Sequence, residues 1–359
     1  MLLIAVSLSM PDTSPAEQPV SGGDLVALTD IRGTGPVEIT KPSSSSLIAA
    51  STLYTEELLA SPEDPLLTDD RVNAQIHYFA TSGKQLLQNW LNRSARFIPL
   101  MKKIFQENDL PEDLVYVAMI ESGLRMDAIS RSRAVGPWQF MSDTAREYGL
   151  TMNQWVDERR DPVKATHAAA AYLRDLHDGF GSWHLALASY NAGAGKIQRL
   201  LLRSEESFPD IYTSRALRQE TRNYVPKLLA AITIARNPEQ YGFTANYRKM
   251  FCYDEIKVEK STDLRDIAVF TGCSLEDIKW LNPEIEGLVT PLYASDYVLR
   301  IPKGANKRYF AALDLFLHDL APRRSGYDFD TAFSRINKGR THEYALLRRR
   351  GLSPSAFML

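Results

Sequence analysis

The sequence predicts an α+β protein that is mainly α-helical, because the spacing of its apolar residues changes once along the chain. Before about Tyr241, apolar residues recur every three or four positions, as on one face of a helix. After it, two alternating segments bracket two short helical ones, which predicts a strand–helix–helix–strand module. With 359 residues and 44% hydrophobic content, the chain can form more than one domain.

The amino terminus predicts an exported protein. Its first ten residues are mostly apolar and have the length of a signal-peptide core, although no Lys or Arg precedes them. We therefore expect a truncated export signal and a disordered, Pro-, Gly- and Ser-rich lead-in over 1–46. The apolar stretch is too short to span a bilayer, and no Cys lies near it to accept a lipid, so membrane anchoring is unsupported.

The helical part begins with a predicted N-terminal layer over 47–105 and continues over 106–240. Pro111 starts one helix, with acidic residues in its first turn. Asp161 followed by proline starts a second helix, and Ser182 starts a third. Pro226 lies in the first turn of the final helix or kinks it.

The module is predicted over 241–304, followed by a helical tail over 305–359. Its strands are expected at 255–258 and 297–302, and its helices at 264–268 and 275–283.

Composition excludes several classes of function. A formal net charge of -2 gives no long-range attraction to nucleic acid or anionic lipid. The two cysteines, Cys252 and Cys273, are too few for a disulfide scaffold and lack the partners of a zinc site. We expect no metal and no cofactor.

Glu121 is a carboxylate in the register of an apolar helix face. Together with Leu114, Val117 and Ala118 it follows the i, i+3, i+4, i+7 spacing of a buried stripe. Burial disfavours the charged form of a carboxyl group and raises its pKa, as a general acid near neutral pH requires. A solvated or ion-paired Glu at a helix end is the alternative interpretation of this residue alone.

Four blocks give Glu121 its context. They are ESG at 121–123, SRSRAVGPWQFM at 130–141, SYNAGAG at 189–195 and ETRNYV at 220–225. In this order and spacing they resemble the catalytic domain of the family 1 lytic transglycosylases, the soluble lytic transglycosylase fold related to goose-type lysozyme. The pattern Gly-x-Trp-Gln at 136–139 and Glu-Thr-x-x-Tyr-Val-Pro-Lys at 220–227 is most similar to the membrane-bound lytic murein transglycosylase D group.

The resemblance implies an enzyme that cleaves the β-1,4 bond between N-acetylmuramic acid and N-acetylglucosamine in peptidoglycan, and leaves a 1,6-anhydromuramic acid end. One acid, here Glu121, would make both proton transfers, and the acetamido group of the sugar would assist. The glycan strand is the expected partner, in the periplasm or cell envelope. The substrate-binding residues that the resemblance implies are Ser130, Ser132, Gln139, Tyr190, Asn191 and Tyr224.

The C-terminal module resembles a degenerate LysM unit, which binds N-acetylglucosamine chains. It departs from that pattern at 261–264, where STDL replaces the usual Gly-Asp-Thr-Leu turn, and in a long segment at 284–296. Glycan binding and a purely structural role both remain open.

Two other functions compete with transglycosylation. The same fold could hydrolyse the bond, as goose-type lysozyme does, if a second carboxylate activated water, and no such carboxylate is evident. A noncatalytic wall-binding protein is the other alternative, and an intact Glu121, Gln139 and Tyr224 argue against it.

Overall fold

The computed structural model describes residues 26–28, 37–39, 69–203, 216–244, 250–258, 261–291 and 296–320. The predicted export signal and the tail beyond residue 320 lie outside the described residues. Within the predicted disordered lead-in, the structure instead places two short strands, β1 (Val26–Leu28) and β2 (Val37–Ile39). They pair antiparallel, with Val26 opposite Ile39. Three of their six residues are Val or Ile, whose branched side chains favour strands.

The described residues form two compact units, and the larger contains the described residues between 14 and 152 and between 158 and 250. Its described core is helical, which confirms the predicted helical pattern. Its helices are α1 (Asp70–Ala80), α2 (Lys84–Glu107), α3 (Tyr116–Ser122), α4 (Ser142–Glu147), α5 (Lys164–Phe180), α6 (Trp183–Ala192), α7 (Ala194–Arg203), α8 (Gln219–Arg222) and α9 (Tyr224–Arg236). Short 3-10 turns lie at Glu112–Val115, Glu158–Arg160 and Pro238–Tyr241.

Most of the helix starts predicted from the sequence are found in the structure. Asp161 Oδ1 accepts hydrogen bonds from the backbone N–H groups of Val163 and Lys164, at 2.8 and 2.9 Å, and so caps the start of α5. Ser182 precedes α6, and Pro226 lies in the first turn of α9, where its missing N–H has no helical partner to lose. Pro111 differs from its prediction, because a 3-10 turn separates it from α3.

The helix that carries Glu121 is short and surrounded by protein. Every residue of α3 from Tyr116 to Ile120 is buried. The helix ends at Gly123, whose φ of 64° is the left-handed conformation that terminates helices and favours glycine. Glu121 therefore lies in the last turn of α3, as predicted from the sequence.

The loop after α3 is held by backbone pairing. Val135 pairs with Ile129 on one side and with Phe140 on the other. Gly136 has a φ of 82°, and a Cβ there would lie 1.8 Å from the carbonyl oxygen of Arg159. Only glycine permits this approach of the two backbones.

The smaller unit has the predicted strand–helix–helix–strand order. It contains β3 (Tyr253–Val258), α10 (Leu264–Thr271), α11 (Leu275–Leu281), β4 (Tyr297–Pro302) and a following helix α12 (Asn306–Leu320). Strands β3 and β4 are antiparallel, with Tyr253 opposite Pro302. The order of these elements confirms the α+β fold class.

The described part of the smaller unit also includes residues 153–157, which lie about a hundred positions earlier in sequence than β3. Val156 pairs with Ile285 and is buried in the same hydrophobic cluster as Ile256 and Leu299. Glu286 N donates to the carbonyl oxygen of Trp155 at 2.9 Å. The core of this unit is therefore built from two separate stretches of sequence.

Candidate active site

Glu121 is half-buried at the end of α3. Burial raises the pKa of its carboxyl group from 4.5 to about 7. A hydrogen bond from Tyr224 and the charge of Lys227 lower this pKa, whereas the charge of Glu220 raises it. Because burial is the largest of these effects, the carboxyl group still carries a substantial fraction of protonated form near neutral pH.

Tyr224 contacts Glu121 directly. It is the first residue of α9, and its hydroxyl donates a hydrogen bond of 2.6 Å to Glu121 Oε1. Burial raises the pKa of Tyr224 well above its ordinary value, and the charge of Glu121 raises it further. The phenol therefore stays protonated and serves as a permanent donor to this carboxyl oxygen.

Side chains from the first three blocks connect the loop after Glu121 to α6. Ser122 Oγ donates to the carbonyl oxygen of Pro137 at 2.9 Å. Tyr190 Oη donates to the carbonyl oxygen of Trp138 at 2.7 Å. Trp138 itself is fully buried, stacks on Phe105 and donates to Thr166 Oγ1 at 3.0 Å. Trp138 is thus a core residue and is not available to stack on a sugar.

The predicted substrate-binding serines lie together on the loop after α3. Their Oγ atoms are 3.0 Å apart, and Ser130 Oγ also accepts from Ala134 N at 2.9 Å. Ser132 is exposed, whereas Ser130 is half-buried. Ser130 therefore caps its own loop, and Ser132 faces solvent.

Gln139 has an unusual backbone conformation. Its φ is 52°, a left-handed value that is uncommon for residues other than glycine. Its Nε2 donates to the carbonyl oxygen of Gly136 at 2.7 Å, which holds the side chain against the loop. The amide oxygen of Gln139 is not used in that bond.

Tyr190 and Asn191 occupy the last turn of α6 and are both half-buried. The charge of Glu121 contributes to the raised pKa of Tyr190, so the two groups are near each other. The Tyr190 ring packs against Tyr172, with ring centroids 5.2 Å apart. Within the described residues, no hydrogen bond joins Asn191 to the loop after Glu121.

Two of the carboxylates that follow Glu121 in sequence have arginine partners. Asp127 is exposed and forms a two-bond ion pair with Arg125. Asp143 pairs with Arg146 on the surface of α4. Glu220 is exposed, and its charge raises the pKa of Glu121. Glu220 is therefore the carboxylate to consider as a partner of Glu121.

Three residues at the site were given no role from the sequence. Lys227 Nζ lies 3.3 Å from the carbonyl oxygen of Ile120 and 5.4 Å from the centroid of the Trp90 ring. Arg93, one turn after Trp90 on α2, donates to the carbonyl oxygen of Gly123. The sequence spacing could have identified Lys227 as a site residue, because it follows Tyr224 by three residues and so lies on the same face of the helix.

Two domain families match the chain. Residues 100–210 match the Transglycosylase SLT domain, and residues 253–316 match the LysM-like domain of lytic transglycosylase MltD. The first match includes Glu121 and three of the four blocks, while the block at 220–225 lies beyond it. The resemblance predicted from the sequence is confirmed by these two matches.

Curated relatives carry related names. Membrane-bound lytic murein transglycosylase D of Escherichia coli K12 is 28% identical over 240 residues, which cover 66% of this chain and 52% of the relative. Membrane-bound lytic murein transglycosylase F of Cellvibrio japonicus is 27% identical over 207 residues, which cover 52% of this chain and 38% of the relative. The chain spans about half the length of the first of these relatives.

Solved structures include an inactive mutant of lytic transglycosylase Slt from Pseudomonas aeruginosa. It aligns with a TM-score of 0.34 and 25% identity, over 39% of this chain and 24% of the other. Among the described residues, none of the helices is long and apolar enough to cross a membrane.

Proposed function

We propose that this chain, with its SLT and MltD-type LysM-like domains, is a lytic transglycosylase acting on peptidoglycan. It cleaves the β-1,4 bond between N-acetylmuramic acid and N-acetylglucosamine and leaves 1,6-anhydromuramic acid ends. The observation that carries this proposal is Glu121, a carboxyl group with a pKa of about 7 that is bonded to Tyr224 at 2.6 Å. The proposed place of action is the cell envelope, where the substrate is found.

In the first step, Glu121 donates its proton to the glycosidic oxygen. The bond from that oxygen to the anomeric carbon breaks, and the N-acetylglucosamine side leaves with a hydroxyl group. The acetamido oxygen of N-acetylmuramic acid bonds to the anomeric carbon and takes up the positive charge. Since Tyr224 donates to Oε1, the acidic proton belongs on Oε2.

In the second step, the Glu121 carboxylate removes the proton from the C6 hydroxyl of N-acetylmuramic acid. The C6 oxygen then attacks the anomeric carbon and displaces the acetamido oxygen, which closes the 1,6-anhydro ring and regenerates protonated Glu121. One group can serve as acid and then base because its pKa lies near the working pH. No second carboxylate takes part, since the nucleophile and the stabilising oxygen both belong to the sugar.

The remaining predicted residues are proposed to hold the glycan. Exposed Ser132 and the amide oxygen of Gln139 have hydrogen-bonding capacity that the loop does not use. Ser130, Tyr190 and Asn191 are half-buried around the same loop and helix end, where they would border the sugar.

Mass spectrometry of digested peptidoglycan tests the proposal. Anhydro ends and reducing ends differ by one water, so the products identify the reaction directly. Wild-type protein is expected to give anhydro ends. The Glu121→Gln variant is expected to be at least about 100-fold slower, because the amide keeps the volume but cannot donate the proton. Retention of more than about a tenth of the wild-type rate in a folded variant would remove Glu121 from this role.

Hydrolysis is the second candidate function. The observation that favours it is Glu220, an exposed carboxylate whose charge raises the pKa of Glu121. If Glu220 activated water, the products would carry reducing ends, and Glu220→Gln would abolish their formation. Transglycosylation predicts that Glu220→Gln still gives anhydro ends. Products with reducing ends from the wild-type protein would replace the first proposal by the second.

A further inference from the structure

Lys227 is a cation beside the Glu121 helix that the reaction described above does not use. It lies on α9, one turn after Tyr224, so both side chains reach α3 from the same helix face. Its Nζ is 3.3 Å from the carbonyl oxygen of Ile120, the residue just before Glu121. The Trp90 ring, from α2, covers the ammonium at 5.4 Å from its centroid.

Two physical effects hold the ammonium in this place. The last carbonyl groups of a helix carry partial negative charge, which attracts a cation to the end of α3. The face of an indole ring also attracts a cation. These two attractions replace part of the hydration that the half-buried Lys227 loses. The loss of hydration disfavours the charged form and lowers the pKa of Lys227.

Lys227 and Glu121 act on each other electrostatically. The charge of Glu121 raises the pKa of Lys227, and the charge of Lys227 lowers the pKa of Glu121. Among the described residues, the other titratable groups coupled to Glu121 are Tyr224, Tyr190 and Glu220, and the charge of Glu220 raises the pKa of Glu121. Lys227 thus opposes both burial and Glu220, which favour the protonated acid.

We propose that Lys227 is a positioning residue of the proton-transfer step, which holds the end of α3 and stabilises the Glu121 carboxylate formed when the proton leaves. This inference rests on the proposed function. In the first step Glu121 passes from neutral to negative, so a fixed positive charge nearby favours the transition state over the ground state. Neither Lys227 nor Trp90 lies within residues 100–210, the segment that matches the SLT domain.

The test measures the Glu121 carboxyl group itself. Carbon-13 NMR of protein labelled at Glu side chains follows its titration, and the Glu121→Gln spectrum assigns the signal. In Lys227→Met and Lys227→Gln, the pKa of Glu121 is expected to rise by about half a unit or more, because the positive charge is lost. Lys227→Arg keeps the charge and is expected to keep the pKa.

Lys84→Met is the matched control. Lys84 Nζ lies 5.7 Å from the centroid of the Phe243 ring, so this variant also removes an ammonium from an aromatic face, and Lys84 is not among the charges that shift the pKa of Glu121. The variant is expected to leave the Glu121 titration unchanged. Turnover is expected to fall about tenfold in Lys227→Met and Lys227→Gln, to recover in Lys227→Arg, and to be unaffected in Lys84→Met.

A reciprocal measurement needs no change at Lys227. Coupling between two sites is mutual, so removing the charge of Glu121 must lower the pKa of Lys227. Carbon-13 NMR of labelled Lys side chains in wild-type and Glu121→Gln protein measures this directly. Equal Lys227 pKa values in the two proteins, or an unmoved Glu121 pKa in folded Lys227→Met, would overturn the inference. Absence of anhydro products from the wild-type protein would instead contradict the proposed function, and both titrations would still report the coupling.

Discussion

At the scale of single residues, Glu121 is placed where its neutral form is favoured. Burial raises its pKa to about 7, although Tyr224 and Lys227 both favour the charged form. Ionisation of this group is therefore a free-energy cost that destabilises the folded state. Such a cost is common at functional sites, where activity and stability have opposite requirements.

We therefore expect Glu121→Gln to raise the free energy of unfolding at neutral and higher pH, and to leave it unchanged at low pH. The folded pKa of about 7 lies above the ordinary value of 4.5, so protonation favours the folded state. Below about pH 4 both states are protonated and the cost is absent; it grows as pH rises to about 7 and is constant above. The difference between the pKa values of the unfolded and folded states corresponds to about 3 kcal/mol of stability. Because Glu121 is only half-buried, contact with solvent reduces this to about 2 kcal/mol.

Urea unfolding of the two proteins measures this difference. At about pH 8 the variant is expected to exceed wild type by about 2 kcal/mol, and near pH 4 the two are expected to agree. A difference that does not vary with pH would show that Glu121 is not held in a desolvated setting.

Glu121 could be predicted from the sequence because the apolar register and the four blocks are local patterns. The apolar stripe alone was a weak guide, since the whole of α3 from Tyr116 to Ile120 is buried and not one face only. Lys227 and Trp90 received no role because they approach Glu121 from distant helices. Lys227 lies about a hundred residues after Glu121 in sequence, and Trp90 lies about thirty residues before it. The roles of Ser130, Ser132, Gln139, Tyr190, Asn191 and Tyr224 in holding substrate stay predictions.

At the scale of elements, the end of α3 is fixed by Gly123 and by α2. A Cβ at Gly123 would lie 2.4 Å from Trp90 Nε1 and 2.7 Å from Arg93 Nη2. The carbonyl oxygen of Gly123 accepts a hydrogen bond from Arg93. Close packing of α2 against this turn therefore helps to hold the last turn of α3, where Glu121 lies.

Gly123→Ala is expected to destabilise the protein more than Gly181→Ala, its matched control. Gly181 ends α5 with a φ of 68°, and a Cβ there meets nothing within 4 Å, so the control reports backbone strain alone. That strain costs about 1 kcal/mol, and overlap with Trp90 adds about 1–3 kcal/mol. Urea unfolding measures both losses. Equal losses in the two variants would show that α2 does not restrict this turn.

Element order and most boundaries could be predicted from the sequence. The spacing of apolar residues and the helix-start residues identified α5, α6 and α9, and alternation identified β4 at its observed limits, Tyr297–Pro302. The 3-10 turn before α3 could not be predicted, because acidic residues after a proline start either kind of helix. In the block at 189–195, Gly193 has a positive φ and ends α6, whereas Gly195 lies inside α7.

At the scale of the whole molecule, the smaller unit draws part of its core from outside its own stretch of sequence. Val156 is 4% exposed and packs in the cluster that contains β3 and β4. A contiguous domain is the simplest assumption from sequence alone, and the sequence near Val156 has no signal that connects it to residues a hundred positions later. The domain boundaries placed from the sequence at 106, 241 and 305 stay predictions.

Val156→Ala is expected to weaken the smaller unit, whereas Val298→Ala is expected to have little effect. Both changes remove the same atoms, but Val156 is 4% exposed and Val298, on β4, is 43% exposed. Loss of buried methyl groups costs about 1–2 kcal/mol. Hydrogen exchange of the β3 and β4 amides measures this as faster opening. Unchanged exchange in Val156→Ala would mean that residues 153–157 do not stabilise the unit.

The pH dependence of cleavage is a direct test of Glu121 as the general acid, because only its protonated form can start the reaction. The rate on soluble glycan strands at low substrate concentration reports the acid of the free enzyme. We expect an alkaline limb with an apparent pKa of about 7, at which the rate falls as Glu121 loses its proton. An alkaline limb near 4.5, the ordinary value for Glu, would contradict it.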